Sequence, residues 1–83
     1  MGDRSRKPTE AFGRVLKELR TQQGLTQEEL AERVETERSH ISALERGEKG
    51  PSLATIFSVA RALGISAGQV VSMVEDKLVQ KKR

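Results

Sequence analysis

The stretch Gln27-Glu28-Glu29-Leu30-Ala31-Glu32-Arg33-Val34-Glu35-Thr36-Glu37-Arg38-Ser39-His40-Ile41-Ser42-Ala43-Leu44 decides how the chain folds. Its apolar residues Leu30, Val34, Ile41 and Leu44 recur at helical rather than alternating spacing. Thr26 and Glu29 form a capping box, in which hydroxyl and carboxylate satisfy opposing orphan amides and open a helix at Gln27. Thr36 is placed to cap a second short helix that carries Ile41 and Leu44 and stops at Gly47. Ala31 is small enough for the two helices to cross closely over a turn of about three residues.

Outward from this pair the punctuation continues. Thr9 follows Pro8 and is read as the cap of a first helix bearing Phe12, Val15, Leu16 and Leu19, closed by Gly24. Gly50-Pro51-Ser52 breaks the chain and caps a fourth helix, expected to bury Leu53, Ile56, Phe57, Ala60 and Leu63 before Gly64. Ser66 and Gln69 form a second capping box, opening a fifth helix that runs toward Leu78. The reading is an all-α, compact five-helix domain over residues 9–78. A basic, flexible arm (1–8) precedes it, and a basic tail (79–83) follows.

Composition narrows the function. Eighty-three residues allow one small domain. Absent cysteine excludes disulfides and thiolate metal sites and fits a reducing, cytoplasmic setting. A single histidine offers no metal cluster, no cofactor is implied, and no apolar run approaches the roughly 20 residues of a membrane span. The net charge of +3 is uneven: residues 1–8 carry +2 and residues 77–83 carry +4. Between them, eight basic residues face eleven acidic ones, so net charge alone is weak support for a nucleic-acid partner. Enzymatic chemistry lacks an inventory. Tyrosine and cysteine are absent, and Ser39 and His40, adjacent on a helix, do not face each other.

The chain resembles the phage Cro and repressor-like (XRE-type) helix-turn-helix family, which includes restriction–modification controllers and antitoxins. The resemblance covers about residues 10–70. It is carried by Leu19-Arg20, Gly24-Leu25-Thr26-Gln27-Glu28-Glu29-Leu30-Ala31, Ile41-Ser42-Ala43-Leu44-Glu45-Arg46-Gly47 and Ala60-Arg61-Ala62-Leu63-Gly64-Ile65, in matching order and spacing. It implies a lambda-repressor-like fold whose third helix enters the major groove of double-stranded DNA. Glu37, Arg38, Ser39, Ser42 and Ala43 would then face base edges, with His40 at the margin. Arg38 is the residue whose guanidinium can bond O6 and N7 of guanine together. Gln27, Arg46 and Lys49 would meet phosphates, which position the protein without specifying sequence. Arg20 and Glu45 match a buried ion pair of the family and are read as structural. Glu35 stands where the family often has glycine, so a left-handed backbone there would be strained.

The fifth helix points to self-association. Its apolar arc, roughly 160° wide at 100° per residue, exceeds the stripe of about 100° that docks a helix on one core. Val70, Met73, Val74 and Leu78 are therefore expected at a homodimer interface. The leading reading is a dimeric, sequence-specific transcriptional regulator on a two-fold symmetric operator, autoregulatory or controlling a restriction–modification operon. The alternative is an antitoxin or adaptor that chiefly grips a protein partner.

Overall fold

The computed structural model describes residues 2–80, with side chains over 7–79, and forms five helices: α1 (Gly2–Gln22), α2 (Gln27–Val34), α3 (Arg38–Glu45), α4 (Leu53–Leu63) and α5 (Ala67–Gln80). Three of the helix starts are made by side-chain caps that the sequence announces. Thr26 Oγ1 accepts from the Glu29 amide at 3.0 Å, while the Thr26 amide donates to Glu29 Oε1 at 2.8 Å. Ser66 and Gln69 repeat the arrangement at 3.0 Å each way. Ser52 Oγ accepts from the Thr55 amide at 3.0 Å.

Two starts differ from expectation. α1 begins at Gly2 and runs through Pro8, not from a cap at Thr9. The fixed φ of proline matches the helical value, but Pro8 lacks an amide donor and its ring crowds the carbonyl four residues earlier, a cost that α1 carries. Thr9 packs instead against the α3–α4 loop, its Oγ1 3.2 Å from where a side chain on Gly50 would begin. The cap of α3 is Glu37 rather than Thr36, and it makes no side-chain cap bond. The Thr36 hydroxyl is engaged by His40 Nδ1 at 3.0 Å. Of the basic tail at 79–83, Val79 and Gln80 belong to α5, and the three cationic residues lie outside the described residues.

The core is aliphatic and lies where the helices cross. Phe12, Val15, Leu16 and Leu19 of α1 meet Leu30 and Ala31 of α2 and Ile41 and Leu44 of α3. Val59, Ala60 and Leu63 of α4 and Val70 of α5 complete it. Burying each fully covered Leu, Ile or Val stabilises the domain by about 1.5–3 kcal/mol. Helix α4 departs from its expected stripe. Leu53 and Phe57 are 69% and 60% exposed, whereas Val59 is fully buried. The apolar positions of α4 cover more than one face, and the core takes the side centred on Val59, Ala60 and Leu63. Val70 likewise lies in the core at 1% exposure and so is not at a subunit surface. Met73 and Val74 are half-buried against the same core.

The turn between α2 and α3 fixes the angle of the functional pair. Glu35 is its pivot, at φ 64° and ψ 47°, and is the one non-glycine residue with positive φ among the described residues. The Thr36 amide reaches back to the Ala31 carbonyl at 2.9 Å, and the Glu35 amide to Glu32 at 3.1 Å, which closes α2 in a Schellman-type cap. A β-carbon in this conformation costs about 1 kcal/mol or more. Glu35→Gly is therefore expected to raise the melting temperature by about 4–8 °C while leaving binding intact. A thermal melt with an unchanged or lower midpoint would overturn that account of the turn.

Candidate nucleic-acid interface

Helix α3 has a short exposed face. Arg38 and Ser39 are exposed at its start, Glu37 is the exposed cap, and Ala43 is half-buried one turn further on. His40 is half-buried and tied to Thr36. Ser42 departs from the expected reading face. It is only 8% exposed, and its hydroxyl accepts a hydrogen bond from Arg46 Nη1. The two residues are one turn apart on the helix, which puts the guanidinium within reach of the serine hydroxyl.

Arg38 is held from α2. Its Nη1 donates to Gln27 Oε1 at 3.2 Å, and Gln27 Nε2 donates in turn to Glu45 Oε1 at 2.9 Å. Glu45 also receives Arg20, through Nε at 2.6 Å and Nη2 at 3.0 Å, while Arg20 Nη1 donates to the Leu25 carbonyl at 2.7 Å. The Arg20 and Glu45 side chains retain only 10% and 4% of their exposure. The hydrogen bonds that Arg20 donates to Glu45 hold its guanidinium above its ordinary pKa, against the opposing pull of burial. A buried pair joining α1 to the end of α3 thus continues, through one glutamine, to the exposed arginine at the start of α3.

Beyond α3 the chain presents Arg46 and Lys49, both exposed. Arg46 is paired in two places at once: Nε lies 2.8 Å from Glu48 Oε2 and Nη2 3.0 Å from Oε1. Those hydrogen bonds raise the arginine pKa and lower that of the carboxyl. The bidentate grip uses the same fork that matches a phosphate. Sequence reading passes over Glu48, although its place two residues after Arg46 in a tight turn is a visible signal. The Gln27–Arg38 contact has no local signal, because its partners lie on different helices.

A helix-turn-helix family model matches residues 16–70. The chain belongs to the Cro and repressor-type helix-turn-helix family. It is a DNA-binding helix-turn-helix regulator, and this family is not catalytic. An uncharacterized HTH-type transcriptional regulator of Sinorhizobium fredii is 38% identical over 58 residues, covering 70% of this chain and 75% of the relative. Among solved structures, the restriction–modification controller C.AhdI of Aeromonas hydrophila is 40% identical, with a TM-score of 0.72 over 75% of this chain and 94% of its own. The clp gene regulator ClgR of Corynebacterium glutamicum is 33% identical, with a TM-score of 0.85 over 90% of this chain and 80% of its own. In this helix-turn-helix protein, no single helix among the described residues is long and apolar enough to cross a membrane.

Proposed function

We propose that this helix-turn-helix protein is a transcriptional regulator that reads a two-fold symmetric operator as a homodimer, with α3 in the major groove. The observation that carries this reading is the exposed Arg38 at the start of α3, oriented by Gln27 from the neighbouring helix. A guanidinium held in this way reaches a guanine with its fork already directed. Glu37, Ser39 and Ala43 flank it, and Glu37 accepts from cytosine N4 where that base is present. Ser42 is reassigned from base contact to supporting Arg46, which it bonds.

Gln27, Arg46 and Lys49 serve the phosphate backbone. Arg46 does so by exchanging Glu48 for a phosphate, so binding breaks one ion pair to make another. Small regulators similar to this chain include a restriction–modification controller and a clp gene regulator, which supports control of gene expression as the role. Control of a restriction–modification operon is the reading the first of these supports.

Selection of bound duplexes from a random pool, with wild type beside Arg38→Ala, tests the proposal. Wild type is expected to enrich a two-fold motif whose half-sites lie about 34 Å apart. Arg38→Ala should lose preference at one guanine per half-site, by roughly 5- to 150-fold for a bidentate contact of about 1–3 kcal/mol. Enrichment of no motif at moderate salt would overturn sequence-specific reading.

A further inference from the structure

The loop that leaves α3 carries one charge that works against a DNA contact. Its sequence is Arg46-Gly47-Glu48-Lys49, so a carboxylate stands between the two cations assigned to phosphates. The backbone fixes where that carboxylate sits. Gly47 is left-handed at φ 75°, its amide donates to the Leu44 carbonyl at 3.1 Å, and the Glu48 amide donates to the Ala43 carbonyl at 3.1 Å. This is the paired closure of a Schellman cap, and it pins Glu48 to the last turn of α3. A negative charge there opposes the helix dipole, whose C-terminal end is itself negative. Helix stability therefore gives no reason for a carboxylate at this position.

What the carboxylate does is occupy Arg46. Nε donates to Glu48 Oε2 at 2.8 Å and Nη2 to Oε1 at 3.0 Å, which uses the two-pronged side of the guanidinium. Nη1 donates to Ser42 Oγ. All three nitrogens of the arginine thus already donate within the protein, and the fork that fits a phosphate is the one Glu48 holds. The pair is open to water, with 55% of the Arg46 side chain and 59% of the Glu48 side chain exposed. An ion pair so exposed is weak, so a phosphate can displace the carboxylate, but at a cost.

We propose that Glu48 is a positioning residue that attenuates DNA binding, an internal competitor that holds the Arg46 fork until a phosphate takes it. The proposal rests on the reading of Arg46 as a backbone contact, and it adds the residue that sets overall affinity and salt dependence. Phosphate contacts carry no sequence information. A competitor for one of them therefore lowers affinity for every sequence alike and leaves the preferred bases unchanged.

Titration of a fluorescein-labelled duplex of mixed sequence, followed by anisotropy over a range of salt concentrations, tests this before any operator is known. Glu48→Gln keeps the shape and removes the charge. It is expected to bind about two- to fivefold more tightly, the worth of an exposed ion pair. Its log–log salt slope should be steeper by up to about 0.9, as one more counterion is released. Glu48→Ala should behave alike, and the circular dichroism melts of both should stay close to that of wild type. Arg46→Ala should bind more weakly with a shallower slope. Adding Glu48→Gln to it should change little, because the competitor has nothing left to hold.

An equal gain from Glu48→Gln with and without Arg46 would show direct repulsion of phosphates and overturn the competitor. Folded Glu48→Gln and Glu48→Ala that bind like wild type at every salt concentration would overturn it as well. In selection from a random pool, Glu48→Gln should enrich the wild-type motif, and a changed motif would overturn its assignment to the backbone. Failure of the underlying reading looks different. If neither wild type nor Glu48→Gln binds the duplex at low salt, the DNA reading itself falls, and the role of Glu48 with it.

Discussion

Glu45→Ala is expected to destabilise the domain severely, not merely to weaken its binding. Glu45 is 4% exposed in its side chain and accepts three hydrogen bonds, two from Arg20 and one from Gln27. Removing the carboxylate strands a guanidinium that is itself almost covered. Breaking a buried pair by deleting one partner costs about 3–5 kcal/mol. A domain of this length has a total stability of about 4–12 kcal/mol at the usual value per residue. The melting temperature should fall by about 12 °C or more, and a domain at the lower end of that range does not fold at all. Thermal unfolding followed by circular dichroism measures this directly. A well-folded Glu45→Ala protein that had lost only DNA affinity would overturn the structural role.

The cost arises from the orphaned charge and not from the worth of the pair. Glu45→Gln, which keeps the shape and loses the charge, should still be destabilising. Replacing both partners together with apolar residues of similar volume should recover most of the loss, because a buried ion pair is often no more stabilising than a hydrophobic contact. What the double replacement does not restore is the bond from Gln27 to Glu45. Gln27 then loses one of the two contacts that hold it between α2 and α3, and Arg38 loses its fixed support. The double variant should therefore fold and yet read DNA less selectively, which separates the stability of the pair from its effect on the reading residue.

Much of this arrangement was legible in the residues, for reasons that are local. Capping boxes at Thr26–Glu29 and Ser66–Gln69 are satisfied within four residues, so their geometry follows directly from sequence. The left-handed Glu35 is legible only through the family resemblance, which sets it where glycine is common, and its φ of 64° agrees with that expectation. What could not be read locally depends on competition between faces. The spacing of α4 offers Leu53 and Phe57 to the core as readily as Val59, and only the packing of α2 and α5 on either side decides between them. Val70 shows the converse on α5, where a position assigned to a partner is needed by the thin core. The family resemblance puts Ser42 on the reading face, but the residue is 8% exposed and its hydroxyl accepts from Arg46 one turn later. Side-chain reach is not encoded in helical period.

Gly13→Ala is expected to be the most disruptive small substitution outside the ion pair. A glycine in the middle of a helix ordinarily costs about 1 kcal/mol relative to alanine, so propensity alone predicts stabilisation. The surroundings reverse the sign. A β-carbon on Gly13 would lie 2.5 Å from the Leu44 carbonyl oxygen, 2.7 Å from that of Glu45 and 3.0 Å from the Glu45 carbonyl carbon. All three are backbone atoms of the last turn of α3, so no side chain can swing aside. Relief requires α1 and α3 to move apart, and overpacking of this kind costs about 1–3 kcal/mol, with rigid backbone neighbours placing it at the upper end. Net of propensity, about 2 kcal/mol of stability is lost, or about 8–16 °C in melting temperature. The separation also acts on the site. Gly13 and Arg20 lie two turns apart on the same side of α1, so the helix that retreats from Leu44 also draws Arg20 away from Glu45. Gly13→Ala should thus lower stability and loosen the Arg20–Glu45–Gln27–Arg38 chain together. A melting temperature equal to or above that of wild type would show that the two helices separate freely, and would remove the close crossing as the reason for glycine at this position.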